Sequence, residues 1–412
     1  MRLGAGSLDR LLPLALWAVG LVYAMALLSP QGNSTPQYAL VFNDMLVRLL
    51  HGRFDIDPGV IGAEAFQYKG HAYAYFGVFC ALLRLPLLAT GHIGSDFTAA
   101  SMMLAAGVSL GARLAALNLA MRRATGLSTA FRLIVLGAAA FSGESVQYLH
   151  PSLFQEVVSW GAALASVFVW LATCRLFGPE GKAGRTYALM ALVAGLALLC
   201  RVSFGLGLYA ALGLMLCVEA WRSRAQLAGL SRLAPAALVL ALFLTAAGTV
   251  NEARWDNPLS FVPLRYQTIL HGLYPDREPR LERYGEFNLR RLPFALQYYF
   301  APIWVLQDGQ GRMWFQQQQV ELFEDVELPP STFFLSDPVV CILAGLGLWT
   351  LARRPGRLPD PALASAALAG LALPAALMLV AIILALRYRM EFYPVLDLAA
   401  CIGLAGPSGE KM

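Results

Sequence analysis

Asp44 stands four residues ahead of Arg48 in Tyr38-Ala-Leu-Val-Phe-Asn-Asp-Met-Leu-Val-Arg-Leu-Leu-His-Gly52, beside Leu40, Met45, Leu46, Leu49 and Leu50 on one side of a helix. A carboxylate at the edge of an apolar phase has its pKa raised and accepts a proton from a hydroxyl, so Asp44 is the leading general-base candidate. The same spacing supports an ion pair with Arg48 one turn on. Asp55, Asp57 and Glu64 follow, each a possible second acid or metal ligand in sequence that also reads as turn chemistry. Next, Tyr68-Lys69-Gly70-His71-Ala72-Tyr73-Ala74-Tyr75-Phe76-Gly77 interleaves cations with aromatics. Rings of this kind cover sugar C–H faces, while Lys69 and, farther along, Arg84 can give charge-assisted hydrogen bonds to phosphate. An interfacial aromatic belt has the same composition.

Three more clusters draw notice. In Glu144-Ser-Val-Gln-Tyr-Leu-His150-Pro-Ser-Leu-Phe-Gln-Glu156 two acids and a histidine sit at the mouth of two apolar runs, and Glu156 enters the second, where an ionisable group is costly without a site or a partner. The spacing of His150 from the acids matches no tight metal motif. Arg201, alone between two apolar runs in Cys200-Arg-Val-Ser-Phe-Gly205, should meet something anionic or reach the lipid headgroups. Arg387-Tyr-Arg389-Met-Glu391-Phe-Tyr-Pro394 sets two arginines where the phosphate of a lipid carrier would lie, unless they pair with Glu391 or Asp397.

The elements that must hold these residues follow from composition. The chain has 412 residues, 58% hydrophobic and only 14% charged, with a mean hydropathy of +0.58. Soluble domains carry about 25% charged residues, so a water-soluble globule is excluded. Runs long enough to cross a bilayer occupy 11 to 29, 97 to 120, 128 to 147, 152 to 177, 186 to 200, 202 to 220, 232 to 251, 336 to 353, 361 to 386 and 393 to 408. The six cysteines all lie in apolar segments without paired spacing, which suggests neither a disulfide framework nor a zinc site.

Arginine and lysine concentrate in alternate short loops, at Arg122, Arg123 and Arg132, at Arg175, Lys182 and Arg185, at Arg222, Arg224 and Arg232, and at Arg353, Arg354 and Arg357. These loops are expected in the cytoplasm, and the net charge of +5 is topology rather than a sign of nucleic acid. If both termini are cytoplasmic and every basic loop obeys the charge rule, the weak run 72 to 90, with Arg84 and Pro86 inside it, does not cross and is expected as a re-entrant or interfacial helix; an ordinary spanning helix with one loop breaking the rule is the alternative. The helix around Asp44 is expected to lie flat on the outer leaflet. The expected architecture is an all-α polytopic membrane protein of about ten transmembrane helices, seven plus three. A seven-helix module over 1–251 contains a first outer loop at 30–96. It is followed by a large extracytoplasmic loop at 252–335, with Gln316 to Gln319 exposed, and a three-helix module over 336–412. The first run shows no persuasive cleavage site and is expected to stay as an anchor.

Four stretches together resemble the membrane-embedded C-type glycosyltransferases, the superfamily of the protein mannosyltransferases and aminoarabinose transferases: Asn43-Asp44, the Gly70-to-Pro86 segment, Asn251-Glu-Ala-Arg-Trp-Asp-Asn-Pro-Leu259, and Arg387-to-Pro394. The resemblance implies transfer of a sugar from a polyprenyl-phosphate carrier to an acceptor glycan, lipid or protein on the extracytoplasmic face; the short loops without a large soluble domain look prokaryotic, so a bacterial inner membrane is expected. It casts Asp44 as base, Glu64 or Glu156 as second acid, and Lys69, Arg84, Arg201, Arg387 and Arg389 as partners of the lipid phosphate. Some members also hold a divalent metal at the acids. The chain departs from the pattern in two places. Many members have Asp-Glu where this chain has Asn43-Asp44, and a basic-Pro-Pro-Leu motif where it has Tyr75-Phe-Gly-Val-Phe-Cys80. A flippase or transporter of polyprenyl-linked glycans, and a ligase moving a whole glycan, are the alternatives. A transport path would place charges deep in helices, whereas nearly all charges here sit at the ends of the apolar runs, with Arg113 and Asp397 the main exceptions.

Overall fold

The computed structural model describes residues 5–29, 38–124, 126–149, 151–178, 183–225, 230–261, 263–272, 274, 277–301, 309, 321–327 and 331–405. Lys182, His150 and Gln316 to Gln319 lie outside them. The chain is an all-helical polytopic membrane protein. Among the described residues seven helices are long and apolar enough to cross a membrane: Leu11–Leu28, Thr98–Met121, Thr129–Leu149, Leu153–Phe177, Val202–Ser223, Ala234–Trp255 and Pro361–Met378. The other three expected spans are shorter helices, Ala183–Leu198, Pro338–Arg353 and Tyr393–Ala405.

Burial orders these helices. Leu153–Phe177 is 83% buried and forms the centre of the bundle, whereas Leu11–Leu28 and Ala234–Trp255 are each 17% buried and form its rim. Small residues let backbones approach where no hydrophobic drive exists between helix and lipid. A Cβ at Gly370 would come within 2.0 Å of the Ala211 backbone nitrogen, and one at Gly347 within 1.8 Å of the Ala399 carbonyl oxygen, so two close helix crossings depend on these glycines. The last helix is also tied by charge. Arg113 reaches both Asp397 carboxylate oxygens, at 2.7 and 3.0 Å, and Glu144 at 2.5 Å. The deep charges are thereby paired with each other.

The run 72 to 90 folds differently from the single helix expected. Phe66–Tyr68 and His71–Tyr73 form a hairpin, Phe66 opposite Tyr73, whose two-residue turn, Lys69 and Gly70, has positive φ at both positions, the geometry that matches strand twist. Two short helices follow, Phe79–Leu82 and Leu85–Ala89. The apolar stretch Phe79–Ala89 is about 16 Å long at 1.5 Å per residue, about half of a bilayer's apolar core. Helix Val41–Leu50 buries Val41, Phe42, Met45 and Leu46, with Phe42 edge-on to Phe76. Its apolar face is thus spent on the protein, while Leu40 and Leu50 stay exposed.

The segment after Trp255 is bound to chain on either side of it in sequence. Thr268 donates its N–H to the Ala65 carbonyl at 2.9 Å, and Asp325–Val326 pairs in parallel with Ile383–Leu384 just before Arg387.

Candidate functional site

Between these segments, the N-terminal end of Val202–Ser223 and the C-terminal ends of Ala234–Trp255 and Pro361–Met378 lies a cavity of about 1000 Å³. Glu64, Tyr75, Arg201, Arg254, Glu324 and Arg387 all contribute to its wall. Local structure delivers each of them. Asp57 caps Pro58–Ile61 by accepting from the Gly59 N–H at 2.8 Å, and the 3-10 turn that continues from it ends at Glu64, which accepts from Gln267 at 3.2 Å. Arg201 follows a tight turn in which its N–H reaches the Ala197 carbonyl at 2.8 Å. Gly77 packs on that turn, where a Cβ would stand 2.0 Å from the Leu199 carbonyl oxygen. Glycine is required there.

Most cations on the wall are already paired. Arg201 Nε meets Glu391 at 2.7 Å, with Ser203 donating to the same oxygen. Arg387 meets Glu327 at 2.5 Å, and Arg277 meets Glu324 at 3.4 Å. Glu64 has no ion-pair partner among the described residues. Burial pushes its carboxyl above the usual range, against the Gln267 hydrogen bond and the Arg387 charge. Burial also raises Glu286, on the same wall. A carboxylate moved toward neutrality is a better proton acceptor than one near its usual value of about 4.3. Tyr75 lies within electrostatic reach of Glu64, Arg201, Arg387 and Tyr388, and burial raises its phenol.

Glu64, Arg201 and Arg387 are the sequence-expected residues that the fold brings to the cavity. The others sit elsewhere. Asp44 accepts from Arg48 and from the Asp57 N–H, both at 2.8 Å, in a cluster where Asp55 also takes Arg48 and Arg53; this is the ion pair that the four-residue spacing allowed. Lys69 pairs with Asp256 at the exposed hairpin turn. Arg84 and Glu156 bind each other through two hydrogen bonds of 2.6 and 2.8 Å, both fully buried, with Asn43 accepting from Arg84 Nε at 3.2 Å. Arg389 is buried against Ser331, Ser336 and Asp337 and stacks on Phe333.

Sequence reasoning did not single out Arg254, Tyr75, Glu286 or Glu324 as site residues. A signal existed for Arg254, which shares a helix face with Asn251 at the C-terminal end of an apolar run. None existed for Glu286 and Glu324, which arrive through pairing of distant segments: the Asn288 N–H meets the Val380 carbonyl and the Glu324 N–H meets that of Ile382. For a divalent metal, no three Asp, Glu, His or Cys side chains converge among the described residues. Glu324 lies within electrostatic reach of Glu64 but is paired with Arg277, which does not build a divalent site.

No protein-family model matches the chain, and no curated protein does. Two solved structures share its fold. One is archaeal oligosaccharyltransferase AglB from Archaeoglobus fulgidus in complex with an inhibitory peptide and a dolichol-phosphate, at TM-score 0.54 and 14% identity over 96% of this chain. The other is the apo form of the oligosaccharyltransferase of the same organism, at TM-score 0.54 and 12% identity over 95% of this chain. In both cases the match covers 50% of the solved chain. The likeness is one of fold, and this chain spans about half the length of those solved chains.

Proposed function

We propose that the chain is an integral-membrane glycosyltransferase that moves a sugar from a polyprenyl-phosphate carrier to an acceptor on the extracytoplasmic face, in a bacterial inner membrane with both termini in the cytoplasm. One observation carries this reading. One cavity at the ends of three spanning helices joins Glu64, a partly buried carboxylate without an ion-pair partner among the described residues, to a wall of arginines. Inverting transfer needs this division: a base for the attacking hydroxyl on one side of the anomeric carbon, and positive charge for the departing phosphate on the other.

In the step proposed, Glu64 takes the proton of the acceptor hydroxyl as its oxygen bonds to the anomeric carbon. The bond from that carbon to the phosphate oxygen breaks, and its electron pair leaves on the polyprenyl phosphate, facing Arg387 and Arg201. Asp44 holds the loop that presents Glu64: its carboxylate fixes Arg48 and the Asp57 N–H, and Asp57 caps the turn leading to Glu64. Glu156 and Arg84 act as a buried strut, and Lys69 and Arg389 as anchors of the outer segments. Transport is disfavoured by the mutual pairing of Arg113, Glu144 and Asp397, which leaves no uncompensated charge there to mark a path. The test is transfer of radiolabelled sugar from a polyprenyl-phosphate donor in proteoliposomes holding the purified chain. Label appearing in membrane acceptors together with free polyprenyl phosphate supports the reading; no label above empty liposomes refutes it.

A further inference from the structure

Arg254 is 3% exposed and lines the cavity. Among the described residues its Nη1 donates to the Phe76 carbonyl oxygen at 2.8 Å, its Nη2 meets only the Met45 sulfur at 3.8 Å, and its Nε has no acceptor. No carboxylate pairs with it among the described residues, whereas Arg201, Arg277 and Arg387 on the same wall each have one. A guanidinium stays charged at any physiological pH, and an uncompensated buried charge destabilises the fold that holds it. A cation left in that state beside a large cavity is matched by an anion from outside the chain.

The helix that carries Arg254 indicates which kind of anion. Ala247, Val250, Asn251 and Arg254, all on Ala234–Trp255, face the cavity in succession. They form one stripe, about 10 Å long at 1.5 Å per residue, that runs from apolar to amide to cationic toward the outer end. Across from it the cavity is bounded by Val202 and Leu206 of one spanning helix and Leu377 of another. A free inorganic anion has no use for such a stripe. An anion on an apolar chain fits along its whole length.

We infer that Arg254 is the primary binding residue for the phosphate of a polyprenyl carrier, with the first isoprene units lying along Val250 and Ala247. This rests on the proposed transfer reaction and names the residue that grips the carrier before and after transfer, distinct from Arg201 and Arg387, which are balanced by Glu391 and Glu327.

Binding is measured on the full-length chain in phosphatidylcholine nanodiscs, using a polyprenyl monophosphate, the matching polyprenol, inorganic phosphate and phosphatidylglycerol as probes. The wild-type chain is expected to bind the polyprenyl monophosphate at least tenfold tighter than the polyprenol. Arg254→Met should erase that difference and Arg254→Lys should keep part of it. The thermal midpoint of Arg254→Met without ligand should match or exceed that of the wild type, because an uncompensated charge has been removed. Equal phosphate preference in the wild type and both variants would overturn the inference, as would a lower midpoint with binding retained, which would mark Arg254 as a strut. Inorganic phosphate or phosphatidylglycerol binding as tightly as the polyprenyl phosphate would overturn the carrier. Glu64→Gln should keep the Arg254-dependent preference, so a chain that binds in this way but transfers no sugar refutes only the transfer reading.

Discussion

Arg84 and Glu156 meet through two hydrogen bonds, at 2.6 and 2.8 Å, with neither side chain exposed to solvent. This pair joins the short helices after the hairpin to the central helix Leu153–Phe177. A buried pair broken on one side leaves the other charge without compensation, which costs about 3 to 5 kcal/mol, whereas replacing both partners by apolar groups is often close to neutral. Arg84→Leu and Glu156→Leu alone should each lower the thermal midpoint sharply, and the double variant should recover most of the loss. Thermal unfolding in detergent checks this. A double variant as unstable as the sum of the singles would contradict it.

The two acids of the first outer loop should behave differently. Glu64→Gln is expected to lower the transfer rate by a factor of about 100 or more, the usual scale for a lost general base, with donor affinity little changed. Asp44→Asn keeps a carbonyl oxygen to accept from Arg48 and the Asp57 N–H, and should cost less than about tenfold on the same scale. Initial rates at matched protein levels decide between them. A larger loss at Asp44 would move the base to that residue.

The raised pKa of Glu64 also sets a pH signature. Because burial lifts its carboxyl, the acidic limb of the rate profile should lie above the usual carboxylate range, with activity rising as pH increases through the folded-state pKa. Stability should move the other way. Between the unfolded and folded pKa values the native state binds more protons than the unfolded state, so the contribution of Glu64 to stability declines as pH rises through that window. Glu64→Gln should therefore be more stable than the wild type at neutral pH and equal to it under acid. Paired unfolding curves at the two pH values would show it.

Arg387 should act on the departing phosphate. Arg387→Ala is expected to reduce the maximal transfer rate by about 10- to 100-fold, in line with loss of one donor to a developing negative charge, and Arg387→Lys by less. Since Glu327 would lose its partner, the variant Arg387→Ala/Glu327→Gln separates the two effects. Restored stability without restored rate assigns the loss to the reaction; restored rate assigns it to local structure.

Much of this arrangement was legible in the chain itself. Apolar runs located most of the helices to within a few residues, because a bilayer demands about 20 apolar residues for each crossing, but the run 361 to 386 overshot: its helix ends at Met378, and Ile383–Leu384 pairs with Asp325–Val326. The lone Arg201, expected to meet something anionic or to reach the headgroups, pairs within the chain with Glu391. Legibility stopped where partners come from far away. Glu156 and Arg84 lie 72 residues apart, and Arg113 and Asp397 lie 284 apart, so no local pattern marks them as mutual partners. Asp44 shows the opposite limit: its spacing from Arg48 fitted two roles equally, and only the fold shows that its carboxylate accepts from Arg48 and the Asp57 N–H. The hairpin at Phe66–Tyr73 was hidden because Tyr and His beside Ala at an interface read equally well as helix or strand.

The central claim is that Glu64 drives transfer of a sugar off a polyprenyl phosphate. Its most direct test is single-turnover release of polyprenyl phosphate from a lipid-linked sugar donor in proteoliposomes, with the wild type and Glu64→Gln loaded to the same donor occupancy. The account predicts release coupled to sugar transfer in the wild type, and release slower by a factor of about 100 in Glu64→Gln at unchanged occupancy. Equal release from both chains, or none from either, would contradict it.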